Sequence, residues 1–99
     1  MTKALGPLIK NVWNDFVIYA KWSHQSDGVL KLWQNGELKW NYSGPNTFND
    51  PLDQMTFWKI GIYKSRWRIQ RPPTDLLRAI YDEVRVGGAS STYNDVAPR

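Results

Sequence analysis

The chain has 99 residues, and its 13 lysines and arginines outnumber 9 aspartates and glutamates to give a formal net charge of +4. A chain of this length holds one small domain at most, so residues 1–99 are read as a single domain or a fragment of one. The absence of cysteine excludes disulfides and thiolate chemistry. No apolar run is long enough to span a bilayer, and residues 1–11 lack the apolar core of a signal peptide. The positive charge favours an anionic partner.

The first predicted element is a β-strand within VWNDFVIYAKWS, residues 12–23. β-Branched and aromatic residues alternate there with a period of two. Phe16 and Ile18 therefore share one face of the strand, and Val17 and Tyr19 share the other.

A β-hairpin is predicted next, in GVLKLWQNGELKW at residues 28–40, after a turn over residues 24–28. Asn35-Gly36 is the dipeptide of a two-residue type I′ turn, because both turn residues need a positive φ. The two halves of the stretch then pair as antiparallel strands.

Counting outward from this turn predicts which residues share a face. Lys31 falls opposite Trp40, so both lie with Trp33 on one face of the hairpin. Flat aromatic rings can stack on sugar rings while a lysine binds an acid group, which makes Lys31 and Trp40 candidate ligand contacts. The alternative is that the tryptophans are core residues, which we favour for Trp33 and leave open for Trp40.

The remaining chain alternates loops with two further predicted strands. Residues 43–54 form a loop by their glycine, proline, asparagine and aspartate content, and residues 57–65 form a strand. Residues 66–78 form a basic loop interrupted by two prolines, and residues 79–88 form a last strand. The prediction is an all-β, antiparallel β-sandwich of about five strands within residues 12–88, followed by a C-terminal tail at residues 89–99.

One face of this sheet has no cover within the chain. An apolar sheet face must be buried against another layer. Either the strands split into two sheets, or the chain is part of a larger sandwich, or a second chain covers the face. The residues predicted on it are Phe16, Ile18, Trp58, Ile60, Ile62 and Val84.

Five stretches occur in an order that resembles secreted polysaccharide lyases of the heparin lyase I type, including glucuronan lyases. They are VWNDFVIYAKWS, DGVLKLWQNGEL, SGPNTFND, FWKIGIYKSRW and IYDEVRVGG, within residues 11–95. The resemblance implies a concanavalin A-like jelly roll, of which this chain matches the C-terminal half. It also implies an extracellular or periplasmic location and cleavage of uronic-acid polysaccharides by β-elimination.

Two other functions remain open. A non-catalytic, lectin-like carbohydrate-binding module needs only the aromatic and lysine surface. A third reading, single-stranded nucleic acid bound by stacking, ranks last because no nucleic-acid-binding motif is present. The predicted partner is therefore an acidic polysaccharide, with no nucleic acid and no membrane.

The resemblance to the lyases suggests two catalytic tyrosines and a set of binding residues. Lys59 and Tyr63 alternate onto one face of FWKIGIY, with Gly61 leaving room for a sugar ring. Tyr63 is one candidate acid or base; the alternative is a solvated lysine beside a half-buried tyrosine. Tyr93 lies where some relatives carry a catalytic tyrosine, and the alternative is a tail residue packed on the sheet. Arg66 and Trp67 are candidate contacts at the entrance of the site, or a solvated loop.

Asp82 is a carboxylate on an otherwise apolar predicted face, where an unpaired charge is costly. In the related lyases the matching aspartate is a calcium ligand, so the resemblance implies a structural calcium held by Asp82 and the Trp13 carbonyl. Calcium takes 6–8 oxygen ligands, and this part of the fold supplies too few of them. The alternative is an ion pair with Arg85 or Arg78.

Overall fold

The computed structural model describes residues 3–49, 58–61 and 78–98. Its regular part is one antiparallel sheet of three strands in the order β1-β2-β3, followed by a single helical turn near the C-terminus. The elements are β1 (Phe16–Lys21), β2 (Val29–Gln34), β3 (Glu37–Ser43) and α1 (Tyr93–Val96). The predicted all-β antiparallel class is confirmed. Within the described segments, no helix is long and apolar enough to cross a membrane.

The turn between β2 and β3 is the predicted type I′ turn. Asn35 and Gly36 both have positive φ, at 51° and 80°, and Gln34 pairs with Glu37 across them. This turn suits the right-handed twist of the two strands that it joins. The asparagine and glycine therefore determine where the hairpin reverses.

The turn between β1 and β2 is stabilised by a residue beyond β3. The Asn46 side chain accepts a hydrogen bond from Ser23 N–H at 2.8 Å and donates to the carbonyls of Lys21 and Val29 at 3.0 and 3.2 Å. It thus satisfies backbone groups where the β1–β2 ladder ends. The loop after β3 is therefore connected to the opposite edge strand.

The predicted pairing of β2 with β3 is wrong beyond the first two pairs. Trp33 pairs with Leu38 as expected, but Leu32 pairs with Trp40, which leaves Lys39 as an extra residue in a β-bulge. One extra residue moves every later side chain of the bulged strand to the other face. Lys31 consequently lies opposite Asn41, and not opposite Trp40 as predicted.

The sheet has two different faces, which we name here. The lysine face carries Val17, Tyr19, Lys31 and Trp33 from the paired strands β1 and β2. The apolar face carries Phe16, Ile18, Leu30, Leu32 and Trp40. Each set follows from the alternation of side chains along strands in register.

The described part of the chain has little core of its own. Val17, on the lysine face, is 6% exposed and is the one buried hydrophobic residue among the described segments. On the apolar face Phe16 and Ile18 remain 45% and 48% exposed. The described sheet is therefore one layer of a partial sandwich, as the sequence predicts.

The predicted last strand, residues 79–88, is wrong: this described segment is not part of the sheet. Glu83 has a φ of 51°, in the left-handed region, which interrupts an extended chain at its middle. Its N–H donates to the Asp82 carboxylate at 2.8 Å and not to a neighbouring strand. The predicted strand at 57–65 is described only over residues 58–61, which are not in the sheet, and its remainder lies outside the described residues.

Candidate functional site

The centre of the lysine face is a cation above an aromatic ring. Tyr19 and Lys31 are directly paired across β1 and β2, and Lys31 Nζ lies 6.0 Å from the centroid of the Tyr19 ring. This distance is at the limit of a favourable cation–π contact. Tyr19 is exposed and Lys31 is partly exposed, so both can meet a ligand on this face.

Tyr93 of the C-terminal tail lies against the same face. Its ring packs edge-on against the ring of Trp33, with 5.3 Å between the centroids and 66° between the planes. Trp33 is two residues from Lys31 on β2, on the same side of the sheet. The fold thus brings the predicted catalytic tyrosine to the face of the predicted binding lysine.

The hydroxyl of Tyr93 makes no hydrogen bond within the described residues. The residue as a whole is 36% exposed. The alternative left open by the sequence, that Tyr93 is a tail tyrosine packed on the sheet, agrees with the contact of its ring with Trp33. It assigns no role to the phenol oxygen.

The tail that carries Tyr93 is closed by its own polar contacts. Thr92 and Asp95 form a capping box at the start of α1, with Thr92 N–H donating to the Asp95 carboxylate at 2.7 Å. Arg85 donates to the Ala97 carbonyl at 2.7 Å and pairs with Glu83 at 3.2 Å. These contacts join the two ends of the segment 83–97 and hold the helical turn in place.

Trp40 is not part of the lysine face. The bulge places it opposite Leu32 on the apolar face, where its ring lies 6.3 Å from that of Tyr42. The Tyr42 hydroxyl in turn donates to the Pro45 carbonyl at 2.8 Å. The predicted grouping of Trp40 with Lys31 is therefore corrected.

The other predicted binding residues are described only in part. Lys59 is exposed within residues 58–61. Gly61 has a φ of 156°, which favours glycine, and a Cβ added there would meet no described atom within 4 Å. The predicted gap for a sugar ring beside Lys59 stays a prediction. Three further candidates, Tyr63, Arg66 and Trp67, lie outside the described residues.

The described residues do not by themselves form a calcium site. Asp82 is exposed, and one of its oxygens already accepts the Glu83 N–H at 2.8 Å, while Glu83 pairs with Arg85. The described segments contain no group of three or more acidic, histidine or cysteine side chains placed to hold a metal. Calcium binding by Asp82 and the Trp13 carbonyl stays a prediction, and it requires ligands from elsewhere.

A second charged cluster lies at the end of the sheet, in the turn after β1. Asp27 forms an ion pair with Lys21 at 3.1 Å and accepts a hydrogen bond from the Ser23 hydroxyl at 2.5 Å. The Ser23 hydrogen bond, followed by the contact with Lys21, lowers the pKa of Asp27 below its usual value. The ammonium group of Lys21 is thus paired with a carboxylate. The ammonium group of Lys31 instead lies over the Tyr19 ring.

Sequence reasoning missed Tyr19 as part of the site. The signal was present, since Tyr19 alternates with Val17 and Lys21 along β1. Pairing β1 with β2 through the turn at residues 24–28 would have placed Tyr19 opposite Lys31. The contact of Tyr93 with Trp33 had no comparable signal, because it joins residues 60 positions apart.

A comparison with known protein families finds a match: the polysaccharide lyase family model matches residues 1–85. The chain therefore belongs to the polysaccharide lyase family. The matched region includes the whole sheet, whereas Tyr93 lies beyond it. No curated protein and no solved structure matches the chain.

Proposed function

We propose that this polysaccharide lyase domain acts on uronic-acid polysaccharides by β-elimination, with the lysine face as its substrate surface. The observation that carries the proposal is the contact of Tyr93 with Trp33. It brings a phenol whose hydroxyl makes no hydrogen bond within the described residues to the same face as Lys31. An acid–base group and a cation are what elimination beside a carboxylate requires.

In this reaction a base removes the C5 proton of a uronate unit, and the C5–H electrons form the C4–C5 double bond. The C4–O4 bond breaks, and an acid protonates the departing O4. The C5 proton becomes acidic enough only when the neighbouring carboxylate is neutralised. A single tyrosine can serve both steps, accepting the C5 proton as phenolate and returning a proton to O4.

We assign the parts as follows. Tyr93 is the acid–base group on the described face, and Tyr63 is the alternative candidate. Lys31 binds the uronate carboxylate, because the residue is partly exposed and its ammonium group, above Tyr19, can donate to an acid group. Lys59, Arg66 and Trp67 extend the surface toward neighbouring sugar units. A net charge of +4 attracts such a polyanion over long range.

The second candidate is a lectin-like binding module without catalysis. The observation in its favour is that the lysine face alone offers what binding needs, namely the Tyr19 and Trp33 rings and the Lys31 cation. The described segments contribute one candidate acid–base residue, Tyr93. The two functions differ in whether a substrate bond is broken, so one assay separates them.

The purified 99-residue chain should be incubated with glucuronan, alginate and heparin, in calcium and in chelator. The unsaturated uronate formed by elimination is followed by its ultraviolet absorbance. We expect product from at least one polymer, and a loss of about 100-fold or more in rate for Tyr93→Phe, which removes the acid–base hydroxyl and keeps the ring. Tyr63→Phe tests the other candidate in the same way.

Binding is tested separately with Lys31→Met, and Lys39→Met is the matched control. Lys39 is a lysine of the neighbouring strand that lies at the bulge and pairs with Glu37 at 3.1 Å. We expect Lys31→Met to weaken retention on the cleaved polymer roughly 10-fold, as expected for a charge-assisted hydrogen bond, and Lys39→Met to leave it nearly unchanged. A folded wild-type chain that retains polymer without cleaving it would establish the binding module instead.

A further inference from the structure

The ring of Tyr93 reaches the lysine face only because the tail is folded back onto the sheet. Helix α1 is a single turn of four residues, and a helix of this length is not stable alone in water. Its position must therefore come from contacts outside the helix. Two of these contacts are the Arg85 hydrogen bond to Ala97 and the ring contact of Tyr93 with Trp33.

Arg85 closes the tail at the end opposite to the ring contact. Its guanidinium donates to the Ala97 carbonyl at 2.7 Å, and Glu83 orients the same guanidinium at 3.2 Å. Ala97 N–H also donates to the Tyr93 carbonyl at 2.9 Å. A chain of hydrogen bonds thus runs from Glu83 through Arg85 to the backbone of Tyr93.

Gly87 permits this closure sterically. A Cβ added at Gly87 would lie 2.6 Å from Ser91 Cβ and 2.9 Å from Val96 Cγ1, so any residue larger than glycine would force the tail to shift. The adjacent Gly88 has nothing within 4 Å of such a Cβ. The two neighbouring glycines therefore differ in whether they face the folded tail.

We propose that Arg85 and Trp33 are positioning residues for Tyr93. Arg85 sets the backbone of α1, and Trp33 sets the place of the tyrosine ring on the lysine face. Neither residue needs to touch the sugar. This inference rests on the proposed function, in which the Tyr93 hydroxyl transfers the proton, and it adds the residues that hold that hydroxyl in place.

The first test follows the Tyr93 ring directly and needs no activity. The full chain is labelled with 3-fluorotyrosine, and Tyr93→Phe identifies the Tyr93 signal among those of the five tyrosines. Trp33→Leu removes the ring current of Trp33 and gives the shift of an undocked Tyr93. We expect Arg85→Met and Gly87→Ala to move the ¹⁹F signal toward that shift, and the controls Arg78→Met and Gly88→Ala to leave it in place.

The second test measures turnover on whichever polymer is cleaved. Misplacing a reacting group by about an ångström can cost 10- to 100-fold in rate, so we expect Arg85→Met to lower kcat by roughly that factor with little change in KM. In the Tyr93→Phe background the same Arg85 substitution should have no further effect, since a positioning residue acts through the group that it positions.

Two results would overturn the inference: an unmoved Tyr93 signal in Arg85→Met and Gly87→Ala, or an Arg85 effect on kcat that persists undiminished in Tyr93→Phe. An inactive wild-type chain would instead overturn the proposed function. The fluorine signal would still decide whether Arg85 holds Tyr93 against Trp33, so the two failures are distinguishable.

Discussion

Asp15 and Asn35 are joined by two hydrogen bonds across the start of β1. Asn35 N–H donates to the Asp15 carbonyl at 2.8 Å, and Asp15 N–H donates to the Asn35 side-chain oxygen, also at 2.8 Å. Asn35 thus performs two tasks at once. It adopts the positive φ of the turn, and its side chain extends the β1–β2 ladder by one pair.

Two substitutions separate these tasks. Asn35→Gly keeps a residue that tolerates positive φ but loses the side-chain acceptor, so we expect a loss of about 0.5–1.5 kcal/mol in the free energy of unfolding. Asn35→Ala also loses the tolerance of asparagine for the left-handed region, which adds roughly 1 kcal/mol. Urea denaturation measures both. Equal losses in the two variants would contradict a backbone role for Asn35.

Asn46 offers a second test of how the sheet is held at its other end. Its amide satisfies one backbone N–H and two backbone carbonyls, on Ser23, Lys21 and Val29. In Asn46→Asp the shape is kept, but a carboxylate replaces the donating group and faces two carbonyl oxygens. We expect this isosteric change to destabilise the fold by about 2 kcal/mol or more, because the donors are lost and like dipoles oppose each other.

The exposed Asn41 is a suitable control for that experiment. It lies on β3 and has no side-chain hydrogen bond within the described residues. Asn41→Asp adds the same charge, so it should change the midpoint of urea unfolding much less than Asn46→Asp. Similar shifts in the two variants would indicate a net-charge effect and not the loss of the Asn46 contacts.

The lowered pKa of Asp27 predicts how the free energy of unfolding depends on pH. Its folded-state pKa is lowered by the Ser23 hydrogen bond and by Lys21, so the folded protein favours the ionised carboxylate more than the unfolded chain does. The stabilisation is fully present at pH values above the pKa of the unfolded carboxyl. It is lost as the pH falls through the lower pKa of the folded state.

We therefore expect Asp27→Asn to be less stable than the wild type at neutral pH, with the difference disappearing in strong acid. The effect should be small and should weaken in high salt, because the group is fully exposed to solvent. Thermal unfolding followed from pH 7 downward at two salt concentrations measures it. A difference that grows as the pH falls would contradict the assignment.

Much of the sheet could be predicted because its signals are local. The alternation in Phe16–Lys21 and the Asn35-Gly36 turn each specify an element within a few residues, and both are confirmed. The bulge at Lys39 could not be predicted in this way. Nothing in the alternation of β3 marks an extra residue, and the pairing with Leu32 depends on how the two strands twist together.

The site was predictable only for side chains carried by regular strands. Lys31 could be placed on a face by counting, whereas Trp40 was misplaced because it follows the bulge. The predicted strand at 79–88 fails for a different reason, since Glu83 adopts a positive φ although glutamate has no local preference for it. The docking of Tyr93 on Trp33 is a tertiary contact that alternation cannot reveal.

The division of the sheet into two faces makes the sharpest prediction about binding. Tyr19 lies under Lys31 on the lysine face, and Trp40 lies on the apolar face beside Leu32. If polysaccharide binds the lysine face, Tyr19→Leu should weaken retention on the cleaved polymer roughly 10-fold, through the loss of a stacking platform worth about 1 kcal/mol or more.

Trp40→Leu should leave retention unchanged while lowering the free energy of unfolding, because it removes packing against Tyr42 and Leu32. Affinity electrophoresis in polymer-containing gels, paired with urea denaturation, measures the two effects separately. The reverse pattern would place the substrate on the apolar face.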